Sequence, residues 1–225
     1  MTSFPRPEHA INMDRGDGII RWSPNKSRDE FLTINLNYRT LVLHKAIGKI
    51  QPGGGPENFE YEDNSTHTDF QAFGAYDWSP VMPGHDLPGL LAVGSKGGDV
   101  HLLRIDDDSS DFITLPLKTP RACHAVAFNA TGLLAVGLDK VRNDHCLQIW
   151  DINHRLAGWD PSKTGLQNLP SSAEPYIKLE LNSIISSTRW FEDQPQTLVV
   201  GVKNQSLRMH DLRGLCRSSW SASEA

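Results

Sequence analysis

The sequence has few cysteines and no surplus of positive charge. Its three cysteines, Cys123, Cys146 and Cys216, are an odd number at irregular spacing, which argues against a disulfide framework and favours a reducing compartment. Acidic side chains outnumber basic ones by 27 to 22, and the formal net charge at pH 7 is −5. A basic field that would hold nucleic acid or an anionic membrane surface is therefore missing.

Long apolar runs are also lacking. The longest run, LPGLLAV at Leu87–Val93, is far shorter than the roughly 20 apolar residues of a membrane-spanning helix. Residues 1–17 carry charges and prolines without the apolar core of a secretory signal, and we expect them to be disordered. These absences predict a cytoplasmic protein with no direct membrane insertion and no nucleic-acid partner.

Short apolar runs bounded by Gly, Asp, Asn and Pro recur along the chain, a pattern typical of strands. The run LLAVG occurs at Leu90–Gly94 and again at Leu133–Gly137, LVVG follows at Leu198–Gly201, and a weaker version, FLTINL, lies at Phe31–Leu36. A segment with a large aromatic residue precedes each run, and these residues are Trp22, Trp78, Phe128 and Trp190. A third segment follows each run, and these segments end at His44, Asp106, Asp151 and Asp211. The chain therefore repeats one three-segment unit.

The middle segment of the unit explains why the repeats must pack on one another. It has almost no polar residue on either face, so a strand formed by it has to be covered on both sides. Sheets stacked radially, as the blades of a β-propeller, provide that cover. The small residues Ala92, Gly94, Ala135 and Gly137 would let neighbouring blades approach closely, and the aromatic residue of the first segment would fill the wider outer part of each wedge.

The third repeat closes with Trp150-Asp151, and on this pair the sequence resembles the WD40-repeat β-propellers, which are named after the dipeptide. In that family the Trp ends the third strand and packs between blades, and the Asp leads into the next turn. Asp106 and Asp211 keep the Asp of the pair without its Trp. The resemblance implies an all-β, WD40-type β-propeller that is partial, with about four blades of an expected seven.

The repeats set the expected domain boundaries. We expect residues 18–213 to form blades 1–4. The repeats exceed the ~40–45 residues of a compact WD40 unit, and the excess falls in two predicted insertions, at about 46–69 and about 153–180. Residues 214–225 show no further strand pattern and are expected to be a truncated C-terminal tail.

A narrower resemblance rests on the motif GLDK at Gly137–Lys140, followed by IWDI at Ile149–Ile152. Together with the opening segment Gly18–His44, these residues resemble the N-terminal propeller of the Mios family, whose members are subunits of the SEA complex, a GATOR-type assembly at the vacuole or lysosome. Family members continue into an α-solenoid and a zinc-binding RING-like region. We therefore expect this chain to be a truncated gene model, a splice product or an excised fragment.

The resemblance implies a non-enzymatic scaffold for protein–protein interaction. Such a subunit would act in the SEA/GATOR-type complex that regulates target-of-rapamycin signalling in response to amino acids. Its partners would be other WD40-containing subunits, and it would associate peripherally with the vacuolar or lysosomal membrane through the complex. Another WD40 adaptor, such as a ubiquitin-ligase substrate receptor or a trafficking-coat subunit, is the alternative. An enzyme would need convergent polar residues at a central channel, and the sequence shows no catalytic motif.

Cys123-His124 and His145-Cys146 form the one Cys/His constellation of the sequence. Both pairs are predicted at strand starts in one blade, on the same edge and roughly 10 Å apart. They lack the Cys-x-x-Cys spacing typical of a zinc site, so buried free thiols are expected, with no metal and no cofactor.

Three further polar or glycine-rich stretches are predicted to be structural. Gly94–Gly98 (GSKGG) is expected to be a hairpin turn, since it does not fit a phosphate-binding loop. Asp106–Asp111 (DDDSSD) lacks the Gly and Glu of a calcium loop and is expected to be an acidic turn between blades. Glu60 and Glu62 are expected in a disordered insertion.

A propeller that stops early would leave its last blade open. Such a blade exposes an unpaired strand edge and an apolar face, both of which favour association or aggregation. We expect the chain alone to be poorly soluble, or to complete itself with the strands or blade of a partner.

Overall fold

The computed structural model describes most of the repeat region, with gaps. The described residues are 18–24, 29–35, 39–47, 60–68, 73–79, 89–104, 112–142, 144–156, 173–179, 181, 183–203 and 207–214. They form four antiparallel sheets. The chain divides into two compact units, Met1–Phe70 with Asp106–Asp108, and Gln71–Ile105 with Ser109–Ala225. The predicted disordered residues 1–17 and nearly all of the predicted tail 214–225 lie outside the described residues.

The first unit contains one four-stranded sheet, which we call blade 1. Its strands pair in chain order and are β1 Gly18–Trp22, β2 Glu30–Asn35, β3 Thr40–Ile47 and β4 Glu60–His67. The apolar side chains of β2, Phe31, Leu32 and Ile34, are buried, as the FLTINL pattern predicts.

The second unit contains three sheets, which we call blades 2, 3 and 4. Blade 2 comprises β5 Phe73–Trp78, β6 Leu90–Ser95, β7 Val100–Arg104 and β8 Phe112–Leu115. Blade 3 comprises β9 Cys123–Phe128, β10 Leu133–Leu138, β11 Leu147–Asp151 and β12 Ile177–Leu179. Blade 4 comprises β13 Ile185–Trp190, β14 Thr197–Val202 and β15 Leu207–Asp211. A short helix, α1 Ile152–Leu156, follows β11, and a 3₁₀ turn, Leu212–Gly214, follows β15.

The repeated three-segment unit is confirmed as the first three strands of every sheet. The run LLAVG is the second strand of blades 2 and 3, where it lies between its two neighbours in the sheet. Leu134 and Ala135 point to opposite faces of β10, and both are 0% exposed. The predicted cover on both sides is therefore present around blade 3.

Fourth strands lie in two segments that the sequence predicts to be insertions. Strand β4 falls within 46–69, and Glu60 and Glu62, expected in a disordered segment, pair with Ile47 and Lys45 of β3. Strand β12 falls within 153–180. The expectation of a disordered Glu60 and Glu62 is therefore wrong. An outer edge strand buries few side chains, so β4 needs none of the apolar alternation that marks a strand in sequence.

Two turn predictions have opposite outcomes. Gly94–Gly98 forms the hairpin between β6 and β7, as predicted, with Gly98 at a φ of 109° that favours glycine. Asp106–Asp111 lies outside the described residues. The strands on either side of it, β7 and β8, pair within blade 2, so the prediction that this segment links two blades is wrong.

Two hydrophobic cores hold the second unit together. The first combines blades 2 and 3 and buries Leu102, Leu134 and Trp150 among others. The second combines blades 3 and 4 and buries Ile149 and Leu198 among others. We call the face of a blade that packs on the following blade its forward face, and the opposite face its backward face.

Glycines of the second strands let these blades approach one another, as predicted. A Cβ atom at Gly94 would overlap the Cys123 side chain of the next blade. A Cβ atom at Gly137 would likewise lie 2.5 Å from Ile185 Cγ2. Each of these glycines thus makes room for the first residue of the following blade. A Cβ atom at Gly201 would meet Ser187 within its own blade instead.

None of the helices among the described residues is long and apolar enough to cross a membrane.

Candidate interaction surface

The WD position of blade 3 is occupied as the sequence predicts. Trp150 pairs with Leu134, is 0% exposed and lies in the core between blades 2 and 3. Asp151 ends β11, and its Oδ1 accepts a hydrogen bond of 2.9 Å from the backbone N–H of His154 in α1. The Asp therefore caps the turn that follows the strand.

The strand register gives the same positions in the other blades. Residues equivalent to Trp150 are His44, Leu103 and His210, since each pairs with the second residue of its neighbouring strand. Asp211 is equivalent to Asp151, but the equivalent residue of blade 2 is Arg104, not Asp106. The alignment of Asp106 with Asp151 is therefore wrong by two residues, and Asp106 lies outside the described residues.

Asp211 caps the turn after β15 and also binds Arg213. Its Oδ1 accepts from the Arg213 backbone N–H at 3.0 Å, and the Arg213 Nη2 lies 2.5 Å from its Oδ2. Hydrogen bonds from the Arg213 side chain, and then from its backbone, lower the pKa of the Asp211 carboxyl to about 2. Asp151 and Asp211 thus do the same local work in two blades.

The aromatic residues of the first strands also occupy one register position. Each pairs with the second residue of the neighbouring strand: the residues are Trp22, Trp78, Phe128 and Trp190. Three of them are buried, with exposed fractions of 7 to 9%, whereas Trp22 is 56% exposed. The packing predicted for this position is therefore observed for Trp78, Phe128 and Trp190 but not for Trp22.

A hydroxyl–imidazole–carboxylate chain in blade 1 could not be recognised from sequence motifs. Thr33 Oγ1 lies 2.7 Å from His44 Nε2, and His44 Nδ1 lies 2.7 Å from Asp63 Oδ1. The Asp63 carboxylate can only accept, so Nδ1 carries a proton and, in the neutral ring, Nε2 accepts from Thr33. The order resembles a catalytic triad. Thr33 and His44 are, however, only 7% and 5% exposed, and the His44 ring stacks on Phe31 at 4.7 Å. This series of hydrogen bonds therefore joins three strands of blade 1 and offers no accessible nucleophile.

The two Cys/His pairs meet at one end of blade 3, as predicted. Leu138 pairs with Cys123, and its N–H donates to the Cys146 carbonyl at 2.8 Å. Both thiols are free and buried, and burial raises the pKa of Cys123 to about 12. The prediction of buried thiols is confirmed for these two residues, while Cys216 lies outside the described ones. Nowhere in the described part of the chain do three His, Cys, Asp or Glu side chains come together as metal ligands would.

A cleft of about 400 Å³ lies beside this end of blade 3. The charged side chains that line it are Lys118, Asp144, Glu174 and Lys178. Lys178 Nζ and Glu174 Oε2 are 2.8 Å apart, and Asp144 forms a buried ion pair of 2.7 Å with Arg121. Because charges of both signs are balanced around it, the cleft offers no field of one sign to a ligand.

The forward face of blade 4 differs from those of blades 2 and 3, because its apolar side chains are exposed. Leu207 and Met209 of β15 are 71% and 70% exposed. Register places them opposite Gly201 and Val199, as Val100 and Leu102 of blade 2 lie opposite Gly94 and Ala92. The equivalent residues of blades 2 and 3 are Val100, Leu102, Leu147 and Ile149, all 0 or 1% exposed. A position that is buried between blades elsewhere is thus open in blade 4.

Apolar side chains on the backward face of blade 1 are also partly exposed. Register equates Ile20 with Val126 and Trp22 with Phe128, both of which are buried on blade 2. Ile20, Trp22 and Tyr61 are 48%, 56% and 37% exposed. Trp22 and Tyr61 contact the buried Phe31 ring, at centroid distances of 5.2 and 5.7 Å. Blade 1 therefore presents an aromatic surface of its own.

The sheets, their register and the Trp150-Asp151 pair define part of a WD40-type β-propeller. No protein-family model matches the chain. It is 27% identical over 185 residues to the GATOR2 complex protein MIOS of Dictyostelium discoideum. The aligned region covers 66% of this chain and 16% of that protein. The MIOS protein of Danio rerio is also 27% identical, over 61% of this chain and 17% of its own length. An uncharacterised WD repeat-containing protein of Schizosaccharomyces pombe is 27% identical over 55% of this chain and 12% of its own length. The chain is therefore related to WD40 proteins of the Mios type. It spans less than a fifth of the length of each of these relatives.

Proposed function

We propose that this chain is a non-enzymatic scaffold for protein–protein interaction and a subunit of a GATOR-type complex. The observation that carries the proposal is its similarity to proteins named as GATOR2 complex components, together with the WD-repeat register of its blades. Proteins of this architecture bind partners through loops, edges and blade faces rather than through one deep chemical site.

The buried polar groups support a scaffold rather than an enzyme. The hydroxyl of Thr33 is held within the sheet of blade 1, and the pKa of the Cys123 thiol is raised by burial, so neither side chain is an activated, accessible nucleophile. The exposed apolar side chains of blades 1 and 4, such as Ile20 and Met209, are instead of the kind found on surfaces that bind proteins.

The finer proposal concerns pathway and place. In a GATOR-type complex the chain would take part in regulating target-of-rapamycin signalling in response to amino acids. Other WD40-containing subunits would be its partners, and they would bring it to the vacuolar or lysosomal membrane as a peripheral component.

Affinity purification of the endogenously tagged chain, followed by mass spectrometry, tests the proposal. We expect recovery of other WD-repeat subunits together with vacuolar or lysosomal membrane. The matched control is Gly137→Leu, which forces a side chain into Ile185 and should disrupt the junction between blades 3 and 4. Recovery of ubiquitin-ligase or coat subunits would support the alternative adaptor function, and recovery of chaperones alone would contradict both.

A further inference from the structure

Two buried polar atoms beside the cleft of blade 3 have no hydrogen-bond partner among the described residues. They are Oε1 of Gln148, a residue that is only 3% exposed, and Nδ1 of His145. Both residues line the cleft, whose volume is about 400 Å³. Burial of a polar atom without a hydrogen bond costs free energy, and buried polar groups of native proteins are nearly always paired. The two atoms therefore call for a partner from outside the blade.

Blade 2 satisfies the position that blade 3 leaves unsatisfied. Strand register equates Gln148 of β11 with His101 of β7. His101 Nδ1 lies 3.1 Å from Oγ1 of Thr114, its neighbour on the outer strand β8. The outer-strand neighbour of Gln148 is Lys178, whose ammonium group binds Glu174 at 2.8 Å instead. The Gln148 amide is thus left facing the cleft.

The cleft lies between the outer strands of blades 2 and 3. Its apolar wall residues come from the segment after β8 and the segment before β12, and they are Pro116, Leu117, Ala173 and Pro175. Gln148 lies two residues before Trp150 and therefore on the face of β11 that packs on blade 2. A polar amide is thus placed among apolar walls, as in sites that bind ligands.

The charged groups of the cleft are balanced by one another. Asp144 forms an ion pair of 2.7 Å with Arg121, and Glu174 forms one of 2.8 Å with Lys178. The hydrogen bond from Lys178 chiefly lowers the pKa of the Glu174 carboxyl, and the charge of Lys118 lowers it further. A charged ligand would have to compete with these contacts, so the cleft suits a neutral polar ligand.

We propose that the cleft binds a neutral, extended peptide segment of a partner protein through amide hydrogen bonds to Gln148. A carboxamide accepts from an N–H and donates to a C=O, and a peptide group carries both. An extended segment leaves these backbone groups available, whereas a helix pairs them internally. The site goes beyond the function proposed above, because it specifies a ligand class whichever complex the chain joins.

Selection from a display library of random peptides, with the 225-residue chain as the target, tests the proposal. We expect enrichment of peptides without net charge whose affinity falls by about tenfold or more in Gln148→Met. Methionine keeps the length of the glutamine side chain but cannot form the amide hydrogen bonds. Fluorescence polarisation of the enriched peptides measures both affinities.

The thermal midpoint of the chain without peptide separates a binding role of Gln148 from a structural one. Removal of an unsatisfied polar group should leave the midpoint of Gln148→Met unchanged or raise it. The matched control is Thr114→Val, which removes a hydroxyl that His101 contacts. This control should lower the midpoint and leave the peptide affinity unchanged.

Three results would overturn the proposal. Gln148→Met could lower the thermal midpoint, which would show that the amide is satisfied within the folded chain. The library could yield no peptide that distinguishes Gln148→Met from the unmodified chain, which would assign the cleft to water or to another segment of this chain. Thr114→Val could weaken peptide binding as much as Gln148→Met, which would trace the effect to folding. None of these results bears on recovery of complex subunits from cells, so the two proposals fail separately.

Discussion

Glycine spacing decides how closely blades pack, and the three glycines of the second strands are not equivalent. At Gly137 an added Cβ would meet the branched Ile185 side chain and Ala125 Cβ of neighbouring strands. At Gly201 it would meet the hydroxyl of Ser187, which can rotate away. A shared residue type in a repeat thus hides two different steric situations.

Substitution of these glycines by alanine measures the difference. We expect Gly137→Ala to lower the free energy of unfolding by about 1–3 kcal/mol, since it overpacks a closed junction. Gly201→Ala, the matched control, should change it by less than about 1 kcal/mol. Urea unfolding followed by circular dichroism gives both values, and equal losses would contradict the steric argument.

Burial should also silence the cysteine side chains of blade 3. Burial raises the pKa of Cys123 to about 12, so almost no thiolate forms at pH 8. In a Cys216→Ser background, we expect Cys123 and Cys146 to react with a thiol reagent only after denaturation. Rapid labelling of either residue in the folded protein would show that its core opens, the one between blades 2 and 3 for Cys123 and the one between blades 3 and 4 for Cys146.

The strand register of blade 1 brings Thr33, His44 and Asp63 together in one series of hydrogen bonds. Each residue comes from a different strand, so the hydrogen bonds tie β2, β3 and β4 together. Loss of the Thr33 hydroxyl leaves the buried His44 Nε2 unsatisfied, which is costlier than loss of both groups.

Thr33→Val tests this element against Thr33→Ser. Valine keeps the shape of threonine but removes the hydroxyl, and we expect blade 1 to lose about 1–3 kcal/mol of stability. Serine keeps the hydroxyl and should retain most of it. Amide hydrogen exchange within β2 and β3 is the readout. Identical protection in the two variants would show that the Thr33–His44–Asp63 hydrogen bonds do not stabilise blade 1.

The turn after β15 has a pH dependence whose direction is fixed. The pKa of Asp211 is lowered from 3.8 to about 2 in the folded protein, chiefly by hydrogen bonds from Arg213. Its contribution to stability is therefore present above pH 3.8 and is lost as the pH falls toward 2. A carboxyl ¹³C titration should find this low midpoint, and Arg213→Ala should move it back toward 3.8. A midpoint that ignores Arg213 would contradict the contact.

Sequence reasoning succeeded where a strand is buried on both faces and failed where it is not. The apolar run Leu133–Gly137 needs cover on both sides, and this requirement alone predicts stacked sheets. Strand β4 is an outer strand with a polar sequence, so no periodicity announces it. Residue type alone aligns Asp106 with Asp151, although the register of β7 assigns that place to Arg104. The exposure of Trp22 depends on what lies next to blade 1, which the residue itself does not encode.

At the scale of the whole molecule, the two compact units should respond to mutations separately. Trp150 lies entirely within the second unit, where it is 0% exposed, and Trp150→Ala should cost that unit about 3–5 kcal/mol. We expect faster hydrogen exchange throughout blades 2 to 4 and unchanged exchange in blade 1. Equal acceleration in blade 1 would show that the two units unfold as one cooperative body.

The fit of Cys123 over Gly94 and of Ile185 over Gly137 has a consequence for how such chains can be rearranged. At each junction a glycine of one blade leaves space for the first residue of the next blade, and this arrangement occurs at both junctions. Blades 2 and 3, which share this fit, are therefore expected to be interchangeable at their forward junctions. A repeat could be duplicated, deleted or exchanged between proteins while the junctions on either side still close, provided that the incoming blade carries a small residue on one face and a bulky one on the other.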